Sequence, residues 1–183
     1  MSKSLIKIVD NSLLPAAVMI LGKFLGIVLT IRVLNIPSST SEYTNTLASF
    51  TTVLRPEDVP IVTSYSDLIM YTSLAIFFTI TIIRAIYLHS SHIKPALVTR
   101  LADKNLLSLI QSSYEIYHSA AVWLLFSWVA SILVISNVLS GTTYAWVGIF
   151  CVISSVLLTA ILLQDVYREI ENIKHNPGSY KWQ

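Results

Sequence analysis

The residue with the most chemical consequence is Lys23, which stands inside the apolar run LLPAAVMILGKFLGIVLTI. A lysine at the centre of a membrane helix costs about 2.5–3.5 kcal/mol on insertion scales, so its ammonium has to be accounted for. The apolar runs elsewhere in the chain contain no Asp or Glu to pair with it, and Ser73, Thr79, Ser127, Ser131, Ser154 and Ser155 supply only partial solvation. Three readings follow. The helix is displaced or tilted so that the amine reaches water or headgroups. Alternatively, Lys23 meets a carbonyl or acidic group of another subunit. In the third reading, several copies line a polar pathway, where a ring of lysines favours anions.

Gly22 and Gly26 flank Lys23 with the G-x-x-x-G spacing, which lets another helix backbone approach closely. That contact is made within the bundle or between subunits; sequence does not choose.

A second cluster can hold a metal. His89 and His92 are three apart, and so are Glu115 and His118, so each pair shares one helical face. Together they offer a mononuclear zinc set. Glu-x-x-His is also the spacing of four-helix di-iron sites, but those need two copies and two further glutamates, and this chain has one copy. Histidines and acids are equally ordinary at a membrane edge, and no resident cofactor is expected. The G-x-S-x-G, H-E-x-x-H, Walker and G-x-G-x-x-G signatures are absent, so no catalytic residue is assigned. Cys151 falls in an apolar run, where a thiol stays protonated and inert.

The elements that must position these residues follow from composition. The chain has 183 residues, 54% hydrophobic and only 12% charged, against about 25% charged in an ordinary soluble domain. Mean hydropathy is +0.68. A disordered chain is excluded, and a single cysteine excludes an intramolecular disulfide framework. A net charge of +2 gives no ground for expecting nucleic acid as a partner.

Four stretches match the about 20 apolar residues needed to cross a bilayer: 13–31, 68–86, 119–139 and 145–163. Each must satisfy its own backbone, which makes it a helix. The expected fold is all-α: one polytopic domain over 1–175 with four transmembrane helices, followed by a short tail at 176–183. The first span is read as a retained anchor rather than a signal peptide. Nine lysines and arginines fall on the side that holds both termini and two on the other, which puts both termini in the cytoplasm of a cell-membrane protein.

The outer loop, 35–67, is rich in Ser and Thr and carries Pro37, Pro56 and Pro60. On the cytoplasmic side Pro95 opens a region, 95–118, whose apolar residues recur at helical spacing. An amphipathic helix leading into span three is expected there. The turn Ser140-Gly141-Thr142-Thr143 is tight enough to make spans three and four antiparallel neighbours.

The function expected from these features is that of a structural or interaction subunit. It would act within a homo- or hetero-oligomeric membrane assembly, with lipid and either itself or another membrane subunit as partners. The alternatives are an oligomeric channel or small transporter with Lys23 in its pathway, and a membrane metalloenzyme using His89, His92, Glu115 and His118.

Overall fold

A computed structural model describes residues 3–36, 39–40, 52–53, 55–87 and 113–175. Its four helices are α1 (Lys3–Val33), α2 (Val59–Tyr87), α3 (Ser113–Leu139) and α4 (Ala145–His175). Each contains a stretch long and apolar enough to cross a membrane: Ser12–Val33, Val59–Ile86, Glu115–Leu139 and Ala145–Glu171. The architecture is all-α apart from one small ladder between the first two helices. There Ser39–Thr40 pairs antiparallel with Thr52–Val53, Ser39 opposite Val53. The expected amphipathic helix falls largely outside the described residues; α3 contains its final part, from Ser113.

The helix ends have identifiable causes. Asn35 adopts φ 49°, the left-handed conformation that a short amide side chain tolerates. This lets the Ile36 N–H donate to the Ile31 carbonyl and the Asn35 N–H to that of Arg32, a Schellman closure of α1. Gly141, at φ 71°, closes α3 in the same way, with the Thr142 N–H on the Asn137 carbonyl and the Gly141 N–H on that of Val138.

α2 begins at Val59, where the expected span began only at Leu68. Pro60 and the Ser/Thr-rich composition had marked this stretch as loop. Pro60, however, occupies the first helical turn, where its missing N–H removes no intrahelical bond and its fixed φ suits the helix. The Asp58 carbonyl accepts from the Val62 N–H and starts the ladder. The extra helix carries Asp67 with it.

Among the described residues α2 is central: it packs against α1, α3 and α4, whereas α1 and α4 do not meet. Its buried residues Val62, Ser66, Met70, Tyr71, Leu74, Phe78, Ile82 and Ala85 form one stripe at three- and four-residue spacing. Facing them are Ile116, Ala120, Trp123, Ala130 and Val134 of α3, and Val147, Cys151, Leu158 and Leu162 of α4. Phe77 stacks on Trp123 with centroids 5.1 Å apart. The outward surface is apolar as well, with Leu21, Ile83, Leu125, Ile132, Ile153 and Leu157 all exposed. A helix bundle oily both inside and out is built for lipid rather than water.

α1 closes on α2 through its glycines. A methyl group placed on Gly26 would lie 2.6 Å from the Ser66 Cα, and one on Gly22 would lie 3.0 Å from the Met70 Cα. Both glycines therefore face a helix of the same chain at backbone contact distance.

Candidate functional site

The close approach of α1 and α2 sets Lys23 opposite Asp67. The Lys23 Nζ donates to Asp67 Oδ1 at 2.5 Å, so the lysine is paired inside its own chain. The expectation that no span carries a partner acid fails because it placed Asp67 in the loop. Neither the displaced-helix reading nor the intersubunit reading foresaw this partner. Lys23 was the visible half of an ion pair.

Asp67 is 1% exposed and fully engaged. Its Oδ2 accepts from Asn137 Nδ2 at 3.0 Å and from Thr143 Oγ1 at 2.7 Å. One carboxylate thus joins α1, α3 and the end of the α3–α4 turn to the central helix. One turn earlier in α2, Ser64 Oγ accepts from the Tyr144 N–H at 2.8 Å, capping an orphan donor at the start of α4. A buried carboxylate is tolerable where a cation and two hydrogen-bond donors surround it, and Asp67 has all three.

Further into the bundle is a second polar group. Tyr71 Oη and Ser155 Oγ are 2.8 Å apart, Ser155 Oγ and Ser131 Oγ 2.9 Å, and Ser131 Oγ also reaches the Ser127 carbonyl at 3.0 Å. This chain crosses from α2 through α4 to α3, and the serines are fully buried. Trp128 Nε1 donates to Thr159 Oγ1 at 3.1 Å near by. Five of the six serines and threonines that sequence offered as solvation for Lys23 bond elsewhere. Ser73 donates to the Ile69 carbonyl, Thr79 to Ala75 and Ser127 to Trp123, each within its own helix. Ser131 and Ser155 bond each other.

Tyr71→Phe is expected to lower stability by about 1 kcal/mol, since Ser155 keeps Ser131 as a partner. Ser155→Ala is expected to cost more, about 1–3 kcal/mol, because it removes the shared member and leaves Tyr71 Oη buried with one partner fewer. Equilibrium unfolding in mixed micelles measures both; equal losses would mean that the hydroxyls do not act as a chain.

Of the proposed metal set, Glu115 and His118 lie in the first turns of α3, half-buried and each engaged in contacts. His89 and His92 lie outside the described residues. Among the described residues no group of three or more His, Cys, Asp or Glu side chains is arranged to hold a metal ion. Beside this edge Tyr117 Oη donates to Asp165 Oδ2 at 3.0 Å, joining α3 to α4.

Asp67, Asn137, Thr143 and Tyr71 are thus the residues that sequence reasoning missed. A signal for Asp67 was present. In an antiparallel hairpin, Lys23 sits ten residues before the end of α1 and Asp67 eight residues after the start of α2, which puts them at nearly one depth.

No family model matches this chain, and no curated protein or solved structure matches it either.

Proposed function

We propose that this protein is a structural or interaction subunit, a four-helix module with both termini on the cytoplasmic side that acts within a larger membrane assembly. The observation that carries this reading is the fate of Lys23. A pore needs polar groups turned toward a pathway, and here the ammonium is taken up by the Asp67 carboxylate at 2.5 Å. Among the described residues, Ser64, Thr143, Tyr71, Ser131 and Ser155 bond across between elements and other buried hydroxyls bond their own helices, while Arg84 Nε is the buried side-chain polar atom left without a partner. A broad apolar exterior is left for lipid and for neighbouring subunits. Nine basic residues on the side of the termini against two on the other support the orientation.

The mass of the particle in mild detergent tests the reading. A discrete oligomer or a stoichiometric complex is expected, and a monomer free of any partner overturns it. Orientation has its own test. A cysteine at Thr142 is expected to react with a membrane-impermeant maleimide in intact cells, and one at Ser179 only after permeabilisation. The reverse pattern inverts the topology.

A further inference from the structure

Lys23 is paired, yet it is not enclosed. Its side chain is 29% exposed while that of Asp67 is 1% exposed. An ammonium has three N–H donors, and Asp67 Oδ1 takes one. The exposed part of Lys23 faces a groove of about 340 Å³ lined by Met19, Ile20, Phe24, Ile27, Met70 and Leu133, an apolar trough where α1, α2 and α3 meet. A donor left unmatched against hydrocarbon is costly, so an acceptor has to come from outside the protein.

The depth of the site indicates what kind of acceptor. Asp67 bonds Thr143, the last residue of the α3–α4 turn, and irregular backbone facing lipid does not occur within hydrocarbon. The turn therefore marks the edge of the bilayer core, and the ion pair is level with it. Tyr144 and Trp146, both exposed, stand at the same level, where amphipathic rings are favoured. From Asp67 to Ile86, α2 rises roughly 28 Å, about the thickness of the hydrocarbon layer. On this reading α1 continues ten residues beyond the edge, to Val33, and Lys23 lies where phosphate and ester oxygens begin, with an apolar trough beside it that can take an acyl chain.

We propose that this groove is a phospholipid site, in which Lys23 donates to the phosphodiester of a lipid in the leaflet on the side of the α3–α4 turn and one acyl chain lies along Met19, Ile20, Met70 and Leu133. Asp67 does not repel the phosphate strongly, because both its oxygens are occupied by donors of this chain. Its role is to hold the lysine at the lip of the groove. The proposal rests on the helices standing in a bilayer and not on oligomerisation.

The full chain, reconstituted with phosphatidylglycerol and then transferred to mild detergent, is examined by native mass spectrometry. The wild type and Lys23→Arg are expected to retain a phospholipid. The double variant Lys23→Gln/Asp67→Asn, which removes both charges together, is expected to retain at least fivefold less. Ile20→Trp, which fills the trough and leaves the amine in place, is expected to lose the lipid to a similar extent. Equal retention in all four overturns the proposal. Inorganic phosphate at millimolar concentration is expected to leave the lipid in place; full displacement by it would show an anion site with no part for the acyl chain, and would also overturn the proposal. A photoactivatable acyl chain on the wild-type protein supplies a readout independent of how the variants fold. Cross-links to Met19, Ile20, Met70 or Leu133 are expected, and their absence counts against the site.

Discussion

Replacing Asp67 with alanine is expected to destabilise the protein by about 3–5 kcal/mol, the range for removing one partner of a buried ion pair. The substitution leaves three donors, Lys23 Nζ, Asn137 Nδ2 and Thr143 Oγ1, without their common acceptor. Asn137 and Thr143 cannot recover easily, since the carboxylate between them is closed off from solvent. Lys23 can, in part, because it is exposed on the groove side and its stem is flexible. Lys23→Met has the opposite weakness. It leaves a carboxylate that is 1% exposed with two neutral donors and no cation, and the loss is again expected to reach several kcal/mol. The double variant Lys23→Met/Asp67→Asn removes both charges and keeps an oxygen for Thr143. It is expected to be more stable than either single variant, with a coupling energy of about 1–3 kcal/mol between the two sites. Unfolding titrations in mixed micelles of the wild type, Lys23→Met, Asp67→Asn and the double variant yield that coupling directly. Strict additivity would mean that the pair contributes geometry but no energy.

The importance of Asp67 explains which parts of the molecule were legible in its sequence. The four helices were, because an apolar run of sufficient length has one stable backbone solution in lipid. The end of α3 was also legible, since Gly141 follows the last apolar residue and a tight turn needs a left-handed position there. The start of α2 was not. Hydropathy falls across Val59-Pro60-Ile61-Val62-Thr63-Ser64-Tyr65-Ser66-Asp67, and one proline and four hydroxyl residues read as loop. Yet a helix does not need hydropathy to continue; it needs unbroken backbone bonds and one face to bury. Val62, Ser66, Met70 and Tyr71 supply that face.

The second polar group was hidden for a different reason. Ser127, Ser131 and Ser155 were read as partial solvation for Lys23, and a serine in a helix can bond its own helix carbonyl. Whether a serine turns inward to a neighbouring helix depends on the rotation of both helices, which a single sequence does not fix. Tyr71 was hidden similarly: membrane tyrosines usually sit at interfaces, whereas its ring is fully buried and meets Phe150 edge-on at 6.1 Å. The histidine cluster shows the converse. Spacing alone put four candidate ligands at one membrane edge, but only Glu115 and His118 fall among the described residues.

Gly26→Leu is expected to have the second large effect, at least about 3 kcal/mol, at the upper end of overpacking losses. Even a methyl at this position meets the Ser66 Cα at 2.6 Å, and the neighbour is backbone rather than a flexible side-chain end. α1 would therefore have to withdraw from α2, carrying Lys23 away from Asp67, so that a packing change becomes an electrostatic one. Gly22→Ala meets the Met70 Cα at 3.0 Å and is expected to cost less, about 1–2 kcal/mol. Gly148→Ala is the control. Its nearest neighbour is a side-chain methyl of Val138 at 3.1 Å, which can give way, so a change below about 1 kcal/mol is expected. The order Gly26, Gly22, Gly148 separates the two meanings of the G-x-x-x-G spacing. If the motif joined helices of one chain, the losses would appear in unfolding titrations at every protein concentration. If it joined subunits, Gly26→Leu would leave the stability of the isolated chain nearly unchanged and would shift only the mass of the particle. The distance to Ser66 favours the first outcome, because that space is already occupied by α2.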